Sequence, residues 1–156
     1  MIIKKAELYD LKEILKLQKL AYISEAELYD DFSIEPLKQS IDEIINEHEN
    51  GIILKALTDD YNIIGSIRGY KHKRTVYINK LVVHPDYQNK GIGGNLLKSI
   101  EKHFIDIGFI DEFKLFTGYK SLKNIYLYKK LGYIKFKCEK ISENLEFIHF
   151  KKVYKK

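Results

Sequence analysis

Gln88-Asn89-Lys90-Gly91-Ile92-Gly93-Gly94 sets three glycines between a run that alternates like a strand and a run whose apolar positions recur at helical spacing. At such a junction the first backbone N–H groups of the helix have no intrahelical partner. The helix dipole adds partial positive charge, and the missing Cβ atoms let an anion approach the main chain, so the segment suits a phosphate group. Lys90 adds a full charge beside it. A turn that merely lets strand and helix pack closely would carry the same letters, so the surroundings decide. Two phosphate loops are excluded. Asn95 follows Gly94 where the Walker pattern needs Lys then Ser or Thr, and position 96 is Leu after what reads as a meander, not the G-x-G-x-x-G of a parallel unit.

The rest of the chain supplies that context. Ile2 to Glu7 reads as a first strand, and Asp10 with Glu13 predicts a cap for a first helix carrying Leu11, Ile14, Leu17 and Ala21, ending near Tyr22. The acidic, aromatic stretch from Ser24 to Ser33 reads mostly as a loop. A second helix is expected from about Pro36 through Leu37, Ile41, Ile44 and Ile45 to Asn50-Gly51. Three strands follow, Ile52 to Thr58, Ile63 to Lys71 and Thr75 to Val83, the last closed by His84-Pro85. The glycines then open a third helix bearing Leu96, Leu97, Ile100, Phe104 and Ile107, closed by Gly108. A strand from Glu112 to Thr117, a fourth helix from about Ser121 to Lys130, and strands Ile134 to Ile141 and Leu145 to Val153 complete the order βααβββαβαββ. That order predicts one mixed α/β domain over residues 1–156 with at least one parallel crossover.

Composition narrows the function classes. No run of eighteen apolar residues exists, and Met1 to Ala6 lacks the apolar core of a signal peptide, so the expected place is the cytoplasm and no membrane is involved. Cys138 is the only cysteine and no Cys/His cluster has metal-ligand spacing, which predicts a reduced thiol, buried or at an edge, and no metal. The net charge of +5 comes from lysines spread along the whole chain, with Arg68 and Arg74 the only arginines, so no nucleic-acid site is expected from it.

With those elements in place, Leu81-Val82-Val83-His84-Pro85-Asp86-Tyr87-Gln88-Asn89-Lys90-Gly91-Ile92-Gly93-Gly94 resembles the acetyl-CoA motif of the GNAT superfamily, a strand followed by R/Q-x-x-G-x-G/A and a helix. The resemblance covers nearly the whole chain and implies an N-acetyltransferase using acetyl-CoA as co-substrate. Backbone groups of Leu81, Val82 and Val83 would pair with the pantetheine arm, and the amides of Gln88, Asn89, Lys90, Gly91, Ile92, Gly93 and Gly94 would hold the pyrophosphate. It further implies a bulged strand four that splays from strand five, leaving a slot between Leu81 to Val83 and Glu112 to Thr117. The run from Ser121 to Tyr133 is similar to the family segment ending Leu-Tyr-x-x-x-Gly-Phe/Tyr, which gives Tyr128 the role of acid for the departing thiolate and makes Asn124 a cofactor contact. Ser121 stands where many members have Asn. Tyr126 and Tyr133 are expected only to pack.

On the acceptor side the resemblance points to Tyr22, Glu25 and Tyr29 as substrate contacts, with Glu27, Asp30 and Asp31 nearby to attract a cationic amine. A solvated acidic loop balancing lysines is the equal alternative. Asn79 stands where some relatives carry a glutamate, and since it cannot act as a base, proton removal through water is expected. No cysteine or serine nucleophile beside a base is evident, which favours direct transfer to a small-molecule or peptide amine. A non-catalytic acyl-CoA-binding module, or an acetyltransferase acting on RNA or protein, stays open as an alternative. Family domains often form homodimers through sheet edges or final strands.

Overall fold

In the computed structural model, which describes residues 1–154, the elements are β1 (Ile2–Lys5), α1 (Leu11–Leu28), α2 (Glu35–Lys38), α3 (Ile41–Asn50), β2 (Ile52–Leu57), β3 (Ile63–His72), β4 (Thr75–Val83), α4 (Ile92–Ile107), β5 (Glu112–Gly118), α5 (Leu122–Lys130), β6 (Ile134–Lys140) and β7 (Glu146–Val153). The seven strands form one mixed sheet in the order β1-β2-β3-β4-β5-β7-β6. Only β4 and β5 run parallel, across the crossover that α4 provides. Alternation sends Ile52 and Leu54 into a core with Leu96, Ile100, Phe113 and Phe150, while Ile53 joins Leu11, Ile14 and Ile44 on the opposite face. The sheet is thus covered by α4 and α5 on one side and by α1 and α3 on the other. A Cβ on Gly69 would stand 2.9 Å from Ile100 Cδ1 and 3.0 Å from Phe104, so this glycine sets how closely α4 lies on β3.

Two irregularities give the sheet its cleft. The β4–β5 ladder holds only for Thr75↔Glu112, Val76↔Phe113 and Tyr77↔Lys114, after which the strands diverge. Between Arg68↔Asn79 and Ser66↔Val82, β4 uses one residue more than β3, and Lys80 takes up the surplus in the left-handed region at φ 54°. The bulge and the splay between strands four and five are therefore both present, and the splay begins beyond Tyr77 and Lys114.

The helices on the α1 side depart from the sequence expectation. The first helix continues six residues past Tyr22 to Leu28, since Ala26 and Tyr29, exposed by 0% and 3%, prolong the buried stripe. Glu25 and Glu27 interrupt the apolar pattern yet favour helix, and the turn ends where Asp30 adopts φ 49°. The second expected helix is two. Ser40 accepts from Glu43 N–H while Glu43 accepts from Ser40 N–H, a capping box that restarts the chain at Ile41. Asp10 does not cap α1 with its side chain. Its carboxylate accepts from Glu7 N–H at 2.8 Å and from Lys55 Nζ at 2.6 Å, a pair closed off from water. β1 is shorter by two residues than expected: Ala6 N–H still donates to the Ile53 carbonyl at 2.8 Å, and Glu7 N–H is already drawn to Asp10.

Removing one member of a buried pair leaves the other charge without compensation. Asp10→Ala is therefore expected to lower stability by about 3–5 kcal/mol in urea unfolding. A midpoint that does not move would mean that Lys55 reaches water in the folded state.

Candidate functional site

The divergence of β4 from β5 opens two cavities that meet. One, of about 910 Å³, is lined by Leu81, Val82 and Val83 at the end of β4, by Gln88, Asn89 and Gly91 to Gly94, and by α5 residues including Lys123, Asn124 and Lys130. The other, of about 570 Å³, lies between α1, the α2 segment and the splayed strands, and is lined by Tyr22, Glu25, Tyr29, Asp31, Asn79 and Tyr128 among others. Tyr22, Glu25, Leu81 and Asn124 border both, so they stand at the junction.

The glycine loop owes its shape to the residues flanking it. His84 accepts from Asp86 N–H at 3.1 Å and caps the 3-10 turn Pro85–Tyr87, so this histidine has a structural task beyond that of an exposed polar residue. Gln88 donates from Nε2 to the Val83 carbonyl at 3.2 Å and folds the loop back onto β4. Asn89 and Gly91 take positive φ, 63° and 82°. No side chain caps α4, and its first hydrogen bond runs from Asn95 N–H to the Gly91 carbonyl at 3.1 Å. The amides of Ile92, Gly93 and Gly94 are thereby left without intrahelical partners, at the positive end of a helix of four turns. A Cβ on Gly91 would have nothing within 4 Å, one on Gly94 would touch only Leu127 at 3.6 Å, and one on Gly93 would make ordinary contacts with Leu127, Leu81 and Val83 at 3.7 to 3.9 Å. The loop's groove is therefore open, and its uncapped amides are of the kind that receive an anion. Lys90 lies over the Tyr87 ring at 5.4 Å.

Tyr128 projects from α5 to line the smaller cavity and is 5% exposed. It packs edge-on to Phe150 with ring centroids 5.8 Å apart. Burial, with added repulsion from Tyr22 and Glu25, pushes its phenol well above the ordinary tyrosine range, so the hydroxyl stays protonated. Tyr22 is pushed up in the same way, chiefly by burial. Asn124 donates to Thr117 Oγ1 at 3.1 Å, which holds its amide at the cavity junction.

Several residues take places that the sequence pattern does not predict. Glu25 lies on α1, not in a loop, and accepts from Ser121 Oγ at 2.7 Å. Ser121 is therefore a serine beside a carboxylate, where none was evident in the sequence. Tyr29 is buried, its hydroxyl within 2.8 Å of Ser121 Oγ and accepting from Lys120 N–H at 2.8 Å. A Cβ on Gly118 would overlap that phenol, which accounts for the glycine at the end of β5. Tyr133 does more than pack, since its hydroxyl donates to the buried Glu101 at 2.6 Å, and Tyr126 is 70% exposed beside the larger cavity. Cys138 is exposed on β6, at the edge of the sheet.

Sequence reasoning missed a polar cluster behind the α2 segment. Arg68, exposed by 3%, donates to Gln39 Oε1 at 2.8 Å, to Glu47 at 3.2 Å and to Gln18. Gln18 donates in turn to the Pro36 carbonyl at 2.9 Å, so α1, the α2 turn and α3 are tied to β3. Gln18 at a position inside the apolar stripe of α1 was the available signal.

A family model described as Acetyltransferase (GNAT) family matches residues 11–133. Over 134 residues the chain is 30% identical to UPF0157 protein YqkA of Bacillus subtilis (strain 168), a match that takes in 86% of this chain and 37% of that protein, so the chain spans little more than a third of its relative's length. Among solved structures, it superposes on the PaiA N-acetyltransferase from Thermoplasma acidophilum in complex with coenzyme A with TM-score 0.77, 22% identity and 98% of each chain covered. The ribosomal-protein-S18-alanine N-acetyltransferase from Escherichia coli gives TM-score 0.81 at 15% identity over 97% of this chain and 92% of that one. A spermidine N-acetyltransferase SpeG chimera from Vibrio cholerae and hSSAT gives 0.74 at 16% identity over 98% and 96%. At these identities the likeness speaks for the fold.

The Ser121 hydroxyl is the hub between Tyr29 and Glu25. Ser121→Ala is expected to cost about 1–3 kcal/mol, because buried partners lose a hydrogen bond without gaining water. Unchanged unfolding would show that the hub contributes nothing to the docking of α1.

Proposed function

The chain belongs to the GNAT acetyltransferase family, and on that premise we propose that it transfers an acetyl group from acetyl-CoA directly to a primary amine. The observation that carries the reading is the meeting of two cavities, one suited to a diphosphate and one to a small acceptor, at Tyr22, Glu25, Leu81 and Asn124. A module that only bound acyl-CoA would need the first cavity and neither the second nor a protonated phenol beside it.

In this reading the amides of Ile92, Gly93 and Gly94 bind the diphosphate, assisted by Gln88, Asn89 and Lys90, and the free edge of Leu81 to Val83 pairs with the pantetheine amides. Bound acetyl-CoA supplies a thioester: the amine nitrogen forms the C–N bond, the C–S bond breaks, and the sulfur leaves with the electron pair. Tyr128 donates its proton to that sulfur, a task for which a phenol held protonated by burial is suited. The amine arrives as an ammonium ion and sheds two protons, one to solvent water before attack and one that restores Tyr128. Glu25 and Asp31 border the acceptor cavity and attract the incoming cation. Asp31 is held below the usual carboxylate range by the side chain and backbone of Ser33, so it stays ionised.

Tyr128→Phe is expected to lower kcat by about a hundredfold or more while CoA affinity, measured by calorimetry, is retained. Unaltered turnover would remove Tyr128 as the acid. Because the phenol's ionisation is displaced upward, kcat of the unaltered protein should hold level at alkaline pH where an ordinary tyrosine begins to lose its proton; a decline there that Tyr128→Phe abolishes would contradict this. Glu25→Gln should raise the acceptor KM several-fold with the KM for acetyl-CoA unmoved, and equal acceptor KM values would take Glu25 out of the acceptor site.

A further inference from the structure

Lysines scattered through the sequence converge once the sheet is built. Tyr70↔Tyr77, Tyr77↔Lys114 and Lys114↔Lys151 are successive cross-strand partners, so one row of side chains crosses β3, β4, β5 and β7 on a single face. Phe116 and His149 form the next row, and Phe147 stands beyond His149 on the same face. Phe136, the surplus residue between Lys135↔Phe150 and Lys137↔His149, joins from β6, with the ammonium groups of Lys114 and Lys151 over its ring at 5.3 and 5.6 Å. α1 meets this face at Gly118 through Tyr29 and leaves much of it open: Tyr70, Phe116 and Phe136 are 43%, 41% and 38% exposed.

Two features of the face call for a partner. The first is a platform of rings, in which Phe116 lies 4.6 Å from Phe147 and 5.4 Å from His149, and Phe136 lies 6.1 Å from His149, centroid to centroid. Contiguous exposed rings of this kind mark binding surfaces. The second is the placing of Lys114 directly opposite Lys151, since like charges facing each other across a ladder disfavour the pairing. The carboxylates on this face are already engaged. Glu112 accepts from Thr75 Oγ1 at 3.3 Å and lies 4.0 Å from Lys114, and Glu139 lies 2.9 Å from His149. Lys151 and its neighbour Lys137 are left without an ion pair among the described residues.

Charge and shape together select the occupant. A second copy docked about a two-fold axis would set Lys114 and Lys151 against their own counterparts, with no free carboxylate to meet them. A nucleic-acid duplex hides its base faces, and an acidic peptide engages the lysines alone, so neither uses the rings. A single strand offers both base faces and phosphates. We propose that this open face binds single-stranded nucleic acid, its bases stacking on Tyr70, Phe116 and Phe136 and its phosphates meeting Lys114 and Lys151. The even spread of lysines, from which no such site is expected, conceals the convergence because Lys114 and Lys151 lie on strands separated in sequence by α5 and β6.

The test is fluorescence anisotropy of the full chain with labelled oligo(U), oligo(dT) and a duplex, each of about twelve units. At low salt both single strands are expected to bind about tenfold or more tighter than the duplex. Phe136→Ala should weaken single-strand binding about fivefold or more, and Lys151→Gln should weaken it and flatten the log–log salt slope by about 0.7. Neither residue borders either cavity, so CoA affinity should not move. Tyr70→Ala, on another strand, repeats the ring test should Phe136→Ala lower the thermal midpoint. Unequal binding of oligo(U) and oligo(dT) supports the proposal whichever is tighter, and tells RNA from DNA. No binding at low salt, a duplex bound as tightly as the single strands, or ring variants that bind like the unaltered chain each overturns it. So does sedimentation showing a dimer that Phe136→Ala splits, which would make the face an interface between copies. All these outcomes leave acetyl transfer untouched.

Discussion

A parallel ladder that stops after Tyr77↔Lys114 is the constraint on which the site depends. Neither strand frays at the break. β3 stays with β4 as far as Gly65↔Val83, and β7 stays with β5 as far as Gly118↔Phe147. Two well-paired half-sheets therefore turn away from each other, and the surplus residue at Lys80 supplies the extra twist on the β4 side. The facing edges, Ile78 to Val83 and Leu115 to Gly118, present ladder groups without a neighbouring strand. Backbone amides and carbonyls in such a cleft need water or a ligand, so the break in pairing is itself a demand for something strand-like to be bound.

A cleft of this kind collapses unless its walls are held apart. On the α1 side the Arg68 cluster does this, joining Gln18, Gln39 and Glu47 through one guanidinium whose charge burial disfavours and Glu47 favours. Each hydrogen bond to a charged group contributes roughly 1.5–3 kcal/mol, so the cluster competes with the apolar core in fixing where α2 lies. At the other end of α1, Tyr29 and Glu25 are fastened through Ser121 to the start of α5. The polar residues that border or back the cavity thus act first as spacers. The acidic character of the α1 end, which from sequence alone suits either amine recognition or solvation, partly serves this fastening.

The legible parts of the molecule were those set by local rules. Glycines at 91 and 108 bracket α4 because both need positive φ, and the alternation in β2 to β4 sorts residues onto two faces, so the central fold followed from pattern. The position of Tyr128 relative to Gly132 likewise marked a side chain that the structure brings to the cavity wall. What escaped were features settled between distant segments. Tyr29 is buried against Gly118 and against Ser121, 92 residues away in the chain, while the acidic residues between it and Tyr22 masked the continuing stripe. Asp10 reads as a helix cap until forty-five residues of chain bring Lys55 to it. The Ser40 and Glu43 capping box was in plain view, but Leu37, Ile41, Ile44 and Ile45, recurring at helical spacing across it, masked it.

Ser121 raises the question of whether the acyl group passes through the protein. Its hydroxyl lies against Glu25 and borders the larger cavity, which is the outline of a nucleophile with a base. The chemistry argues otherwise. A carboxylate is a much weaker base than an alkoxide, and no histidine stands between them to be oriented and charged, so the hydroxyl gains little nucleophilicity from this contact. Its second contact, with Tyr29, keeps the oxygen turned toward α1, and rotating it toward a thioester would break the fastening that holds that helix. An unprotonated amine needs no such activation. In the transfer proposed above, both cavities border the same junction, so an amine nitrogen would need no intermediate carrier, and the geometry that makes Ser121 a good clasp makes it a poor relay.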